Sequence, residues 1–249
     1  MDLIALRAPD FAVLTFVAFA AGLVRGFSGF ALSALVMASA VTILPPRELI
    51  PICLILEMAA SVLMLRGSLV EADRRVALGL ALTSAAGTPL GLWLTTRLPP
   101  EGSRLLALSV LIGLAALQLA RIRLRFLATN AGLYGTGVLA GIVTGVASVG
   151  GMVVALYVLA QEAPARIMRA SLVLYLFISS ILSILWLLGY GLFDGTSVAR
   201  GLALALPAAI GVSLGQRLFR PRLERYYKPF ALCLLIGLAA ISLARTLSA

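Results

Sequence analysis

The chain repeats part of its own sequence, and this restricts its fold more than any other feature. Residues 111–121 read LIGLAALQLAR and residues 235–245 read LIGLAAISLAR, so nine of eleven positions are identical. The two stretches lie 124 positions apart in a chain of 249 residues. We therefore predict two homologous repeats, residues 1–120 and 126–249, joined by a basic linker at 121–125.

Single residues recur in the same order as these stretches. The offset is 119 in the early part of each repeat and 124 later, so a loop in the second repeat is longer by about five residues. The recurring pairs are Gly26 and Gly145, Pro45 and Pro164, Gly87 and Gly211, and Gly91 and Gly215.

The composition indicates an integral membrane protein. Hydrophobic residues make up 61% of the chain and charged residues 12%, and the mean hydropathy is +1.08. Aromatic residues make up only 7% and the apolar runs are long, which favours helices over the alternating strands of a barrel. We predict an all-α membrane protein in which residues 1–249 form one transport domain.

The residues that are scarce or absent exclude several functions. Histidine is absent, which removes histidine proton relays, most transition-metal sites and the common nucleophile–histidine pairs. Cys53 and Cys233 lie in apolar segments and are not repeat equivalents, so we expect neither a disulfide nor a metal site. The sequence predicts no enzyme, no cofactor and no metal. The net charge of +10 comes mostly from arginines in short loops, so we expect membrane orientation and not nucleic-acid binding.

Each repeat contains one long apolar segment and three that fit a single membrane crossing. The long segments, 11–44 and 127–160, would each form a straight helix of roughly 50 Å, whereas a bilayer core is about 30 Å thick. Small residues interrupt both, so we predict a helix–break–helix hairpin in each repeat, either re-entrant or fully spanning. The single crossings are predicted at 49–65, 76–96, 105–120, 170–188, 198–215 and 230–243.

The basic residues of the loops favour repeats of opposite orientation. With the linker in the cytoplasm and each hairpin returning to its starting side, the cytoplasmic loops hold 13 basic residues, Arg166 and Arg169 included, and the other side holds 6. If each hairpin crossed once, the split would be 9 to 10. Cytoplasmic loops normally carry the excess of Lys and Arg. We therefore predict inverted-topology repeats with both termini outside.

The two helix breaks are the predicted substrate site. A helix that ends inside a membrane leaves N–H groups without partners, and an anion satisfies them well. The alternative is that the glycines serve close helix packing and the hydroxyls bond their own backbone. The candidate site residues are Arg25, Gly26, Phe27, Ser28 and Gly29 in the first break, and Thr144, Gly145, Ser148, Gly150 and Gly151 in the second.

Two charged residues lie deep in apolar segments. Arg25 is 14 residues into its segment, and a guanidinium can grip a sulfonate or sulfite in fork geometry. The alternatives to anion binding by Arg25 are a structural ion pair and a side chain that reaches the membrane interface. Glu57 either carries a coupling proton or neutralises Arg25 when no substrate is bound. A uniport mechanism is also open, because an inside-negative potential favours anion export by roughly 2.3 kcal/mol per charge per 100 mV.

The break sequences resemble those of the sulfite exporter TauE/SafE family. The similarity lies in residues 21–30, AGLVRGFSGF, and in residues 141–151, GIVTGVASVGG. Each stretch is followed by an apolar run and a proline-containing turn. Many members have a fuller glycine run than the Gly29-Phe30-Ala31 found here. The resemblance implies transport of small sulfur oxyanions or organosulfonates across the bacterial inner membrane, usually outward.

Together these observations predict a multi-pass transporter of the bacterial cell inner membrane, an exporter of a small sulfur-containing anion that works by alternating access. The alternatives are another small anion such as a carboxylate or, in a different class, a channel or an accessory membrane subunit. The expected partners are the anion and the lipid bilayer. The Gly-x-x-x-Gly pairs favour packing inside one chain, with a homodimer as the alternative. The sequence leaves the identity of the anion, the direction of transport and the coupling ion open.

Overall fold

The computed structural model describes residues 6–120, 127, 129–161, 164–218 and 224–247. Within these residues the chain forms ten α-helices and no β-strand, which confirms the all-α prediction. The basic linker predicted at 121–125 lies outside the described residues.

Five helices precede the linker and five follow it. The first five are α1 (Ala8–Ser28), α2 (Leu32–Ala40), α3 (Pro46–Glu71), α4 (Arg74–Arg97) and α5 (Pro100–Leu119). The second five are α6 (Asn130–Ala147), α7 (Gly150–Ala160), α8 (Ala165–Gly189), α9 (Gly195–Leu218) and α10 (Glu224–Leu247).

Seven helices within the described ranges are long and apolar enough to cross a membrane: α1, α3, α4, α5, α6, α8 and α9. In α10, an apolar stretch runs from Leu235 to Thr246. By contrast, α2 has 9 residues and α7 has 11. At about 1.5 Å per residue, neither of these two could reach across a bilayer core of about 30 Å.

Local sequence explains where several helices begin. Pro45 and Pro164 are repeat equivalents, and each stands in an extended conformation immediately before α3 or α8. The fixed φ of proline suits this position, and the missing N–H costs nothing there. Asp73 caps α4 by accepting a hydrogen bond from the N–H of Val76. Thr129 caps α6 in the same way.

Glycines allow two pairs of helices to pack with their backbones close together. A Cβ atom at Gly91 of α4 would lie 2.0 Å from the carbonyl oxygen of Ile142 in α6. Likewise, a Cβ at Gly215 of α9 would lie 2.2 Å from the carbonyl oxygen of Leu23 in α1. Each Gly-x-x-x-Gly pair therefore contacts a helix of the other repeat within the same chain. The first helix of each repeat packs against the fourth helix of the other.

The short helices α2 and α7 are largely buried. Eight of the nine residues of α2 are buried. Two residues at equivalent positions, Gln118 of α5 and Ser242 of α10, hold these helices from the outside. Gln118 Nε2 donates to the carbonyl oxygen of Met152 in α7 at 2.9 Å, and Ser242 Oγ donates to that of Ala38 in α2 at 2.7 Å. This position is one of the two that differ within the repeated eleven-residue stretch, yet both residues supply a donor.

Candidate anion site

Arg25 lies in the last turn of α1 and its side chain is fully buried. Its Nη1 donates to the carbonyl oxygen of Gly29, and its Nη2 donates to Ser61 Oγ of α3 at 2.9 Å. Nε is also buried and has no hydrogen-bond partner among the described residues. The guanidinium is therefore held inside the helix bundle, and its Nε has no partner in the described structure.

Glu57 of α3 lies beside this guanidinium, one helical turn before Ser61. Its side chain is almost completely buried, and Oε2 is 3.2 Å from Arg25 Nη2. This contact is an ion pair by distance, but it lacks the geometry of a hydrogen bond. The structure thus brings together the two charged residues that the sequence places in apolar segments.

The other carboxylate oxygen of Glu57 binds the beginning of α2. Oε1 accepts hydrogen bonds from the backbone N–H of Ser33 at 3.2 Å and from Ser33 Oγ at 2.9 Å. Ser33 is the second residue of α2, so its N–H is one of those that a helix leaves without an internal partner. The carboxylate of Glu57 therefore lies between a guanidinium and a helix N-terminus.

The chain between α1 and α2 has an unusual backbone. Gly29 and Ala31 both have left-handed conformations, with φ of 82° and 77°. Ser28 Oγ donates to the carbonyl oxygen of Phe30 at 2.7 Å, so this hydroxyl bonds local backbone. Gly26 lies against α9, where an added Cβ would be 2.2 Å from the carbonyl oxygen of Val212. Phe27 is buried on the same helical turn.

Arg169 is a second cation near this segment, and sequence reasoning assigned it to a cytoplasmic loop. The structure instead includes both Arg166 and Arg169 in α8. Arg169 Nη2 donates to the carbonyl oxygen of Gly26, and its Cγ lies where a Cβ at Gly29 would be only 2.9 Å away. The predicted crossing starts at residue 170 because Arg169 is charged, although the helix already begins at Ala165. The only available signal was the turn at Pro164, which marks the helix start.

The segment between α6 and α7 has a similar backbone but different side chains. Ser148 has a left-handed conformation, with φ of 56°, and its buried Oγ has no partner within the described ranges. Thr144 Oγ1 donates to the carbonyl oxygen of Ala140 at 2.8 Å. A Cβ at Gly145 would lie 2.5 Å from the backbone of α4, and one at Gly150 would lie 2.1 Å from Thr144 Oγ1. Gly151 has more room, since its nearest neighbour would be a Leu176 methyl at 3.1 Å.

Hydroxyl groups surround this second segment. Tyr175 of α8 is fully buried, and its hydroxyl lies 3.3 Å from Ser84 Oγ and interacts with Thr144. Ser84 Oγ also lies 3.4 Å from Ser179 Oγ. The position equivalent to Arg25 is thus Thr144, in a neutral and polar environment.

The family model for "Sulfite exporter TauE/SafE" matches residues 14–242. The chain belongs to the sulfite exporter TauE/SafE family. The resemblance found in the sequence is therefore confirmed, and the match includes Arg25, Glu57 and both left-handed segments. No curated protein and no solved structure matches the chain.

Family membership and the apolar helices agree on the class of protein. TauE/SafE proteins are membrane transporters, and seven helices of this member have the length and hydropathy of a membrane crossing. We conclude that the chain is a multi-pass membrane protein of a transporter family. This class is consistent with the expectation that the protein is not an enzyme.

Proposed function

We propose that this TauE/SafE member transports a small sulfur-containing anion, such as sulfite or an organosulfonate, across the bacterial inner membrane, normally outward. The observation that carries the proposal is the complete burial of Arg25 within the helix bundle, in a helix that is apolar enough to cross a membrane. Ionised side chains inside membrane-spanning segments are costly and usually serve function. A guanidinium offers paired N–H donors that match the oxygens of a sulfonate or sulfite.

The surroundings of Arg25 supply further donors for such an anion. Ser61 Oγ and the N–H and hydroxyl of Ser33 lie within one cluster around the guanidinium and Glu57. In the second repeat, Ser148 has a buried hydroxyl without a described partner. We propose that Arg25 binds the anion, that residues 26–29 shape the first half of the site, and that Thr144, Gly145, Ser148, Gly150 and Gly151 contribute the second half.

The directions of the helices support alternating access between inverted repeats. Glu71 at the end of α3 pairs with Arg166 at the beginning of α8. Nearby, the N–H of Asp73 donates to Ser171 Oγ of α8 at 2.8 Å. Because α3 and α8 are equivalent helices, a contact between the end of one and the beginning of the other fits opposite orientations in the membrane. Two related repeats could then rock around one central anion.

A flux assay tests the proposed function. Liposomes that contain the purified protein are loaded with sulfite, ethanesulfonate, acetate or chloride. Uptake of a labelled anion from outside is then measured against each internal anion. We expect saturable exchange of the sulfur anions that is lost in Arg25→Ala and kept in Arg47→Ala, which changes an exposed arginine. Preference for acetate would assign a carboxylate substrate, and non-saturating flux without exchange would indicate a channel.

A folding control accompanies the arginine variant. Arg25→Ala leaves the buried Glu57 without its partner, which can unfold a protein. The double variant Arg25→Gln/Glu57→Gln removes both charges together and keeps the side-chain volumes similar. If the double variant folds but does not exchange sulfur anions, the proposal is supported. Undiminished exchange of sulfur anions by this variant would contradict it.

A further inference from the structure

We infer that the Glu57 carboxylate is a tethered anion that occupies the substrate site, and that it takes up a proton when the transported anion replaces it. One proton then moves with each anion. This inference rests on the proposed anion site at Arg25 and adds the coupling ion to it. It follows from the contacts of Glu57, from the charge balance of the buried cluster and from the groups that surround it.

The contacts of Glu57 are those that a small oxyanion would make. Its two oxygens lie against a guanidinium, a hydroxyl and an N–H that has no partner inside its own helix. Two buried polar atoms here are unsatisfied within the described structure, Arg25 Nε and Glu57 Oε2. The carboxylate therefore satisfies the cluster only in part. A sulfonate or sulfite, with three oxygens, can use more of these donors than a carboxylate can.

Charge balance couples the anion to a proton. In the empty protein, Arg25 and Glu57 carry one positive and one negative charge, and the buried pair is neutral. An incoming anion adds a second negative charge beside the same guanidinium. Two anions that share one buried site repel each other, and protonation of one of them removes the repulsion. The reaction is Glu57–COO⁻ + H⁺ → Glu57–COOH, so the occupied cluster has the same net charge that it had before a monovalent anion entered.

The other groups near Glu57 are poor candidates for this proton. Arg25 of α1 stays protonated at every relevant pH. Cys53 of α3 lies near Ser33, and Tyr175 of α8 is fully buried, but a thiol and a phenol are already protonated when neutral. On α8, Arg169 is also a cation and binds the carbonyl oxygen of Gly26. The helix α2 contains no ionisable side chain.

The helix α9, which contacts α3 and α1, carries two arginines, and Arg217 is exposed at its end. Arg200 of α9 pairs with Glu48 at 2.7 Å, near the beginning of α3 and more than two helical turns from Glu57. Among the described residues, Glu57 is thus the group in this neighbourhood that can accept a proton as an anion arrives. A monovalent anion would move with no net charge. A divalent anion would still carry one negative charge, which an inside-negative potential drives outward.

Calorimetric titration of the detergent-purified protein tests the inference directly. Ethanesulfonate stays ionised over the whole pH range, so any proton uptake belongs to the protein. Binding is measured in two buffers of different ionisation enthalpy, which gives the number of protons taken up per anion. We expect about one proton per anion at the alkaline end, and an affinity that falls about tenfold per pH unit there. The same titration is run on Glu57→Gln and, as a matched change on the same helix, on Glu48→Gln.

The variants separate Glu57 from other proton acceptors. We expect Glu57→Gln to bind the anion with no proton uptake and the same affinity at each pH, and Glu48→Gln to behave like the wild type. Binding by the wild type without proton uptake would overturn the inference while leaving anion transport intact. Uptake that persists in Glu57→Gln would also overturn it. Absence of binding at every pH, together with absence of flux, would overturn the proposed function as well. The wild-type measurement decides the matter even if Glu57→Gln does not fold.

Discussion

Gly29 and Ser148 lie 119 positions apart and end α1 and α6 in the same way. Both have left-handed backbone conformations, and the N–H of each donates at 2.8 Å to the carbonyl oxygen four residues earlier, that of Arg25 or Thr144. The two helix ends therefore share this backbone although their residues differ. A serine in the left-handed conformation is sterically strained because it has a Cβ, whereas a glycine is not.

Exchanging these two residues should have opposite effects on stability. Ser148→Gly removes the strain and a buried hydroxyl without a described partner, so we expect the free energy of unfolding to rise by about 1 kcal/mol. Gly29→Ser introduces strain at φ of 82° and brings a Cβ to 2.9 Å from Arg169 Cγ. We therefore expect it to lower the free energy of unfolding by about 1–2 kcal/mol. Unfolding in detergent measures both. Equal effects of the same sign would contradict the strain argument.

The Arg25–Glu57 pair should be strongly coupled in stability. Either Arg25→Gln or Glu57→Gln leaves one buried charge without its partner, which typically costs about 3–5 kcal/mol. The double variant leaves no such charge and should be more stable than the sum of the single effects predicts. A double-mutant cycle on unfolding free energies measures this. Additive single effects would mean that the two charges are solvated independently.

The two ion pairs at the ends of α3 should differ in importance. Arg166, which pairs with Glu71, has an 82% exposed side chain, so Arg166→Ala should cost less than about 1 kcal/mol. Arg200, which pairs with Glu48, has an 8% exposed side chain, and we expect Arg200→Ala to cost about 1–3 kcal/mol. Thermal unfolding at low and high salt compares them. Raising the salt should weaken only the Arg166 pair appreciably.

The glycine contacts between α4 and α6 predict a sharp difference between two alanine substitutions. Gly91→Ala would push a Cβ to 2.0 Å from the carbonyl oxygen of Ile142, so the helices must separate, at a cost of about 1–3 kcal/mol or more. Gly113→Ala on α5 meets nothing within 4 Å and should be neutral or stabilising by up to about 1 kcal/mol. Yield of folded protein and unfolding midpoint distinguish them. Comparable losses at both positions would contradict close packing at Gly91.

Asp194 gives α9 a pH-dependent cap. Hydrogen bonds from Ser197, including its N–H at 2.8 Å, hold the pKa of the Asp194 carboxyl below its ordinary value. Because the folded state has the lower pKa, the stabilisation is present above the ordinary pKa of Asp and is lost as the pH falls through the lowered value. At neutral pH, Asp194→Ala should cost about 1 kcal/mol. In strongly acidic buffer the variant and the wild type should have similar free energies of unfolding. A difference in this free energy that stays the same at every pH would exclude the charge effect.

The helices themselves could be predicted from local sequence. Hydropathy and length identify the apolar segments, and residues such as Pro45, Pro164 and Asp73 fix helix starts through their own backbone chemistry. The two matching eleven-residue stretches were visible as sequence identity, and the break sequences were enough to identify the family. The helix start of α8 was misjudged because hydropathy treats an arginine as a loop residue, although the long side chain of Arg169 can reach a carbonyl of another helix.

The contacts of the candidate site were decided by tertiary structure alone. Arg25 and Glu57 stood out individually because charges are rare in apolar segments, but their 3.2 Å approach depends on how α1 and α3 rotate against each other. The hydrogen bonds from Ser33 to Glu57 likewise depend on the position of α2, and no local pattern marks them. Sequence determines which helices form because helix formation is local. Which side chains meet is determined by the simultaneous packing of all the helices, since close-packed interiors allow few arrangements.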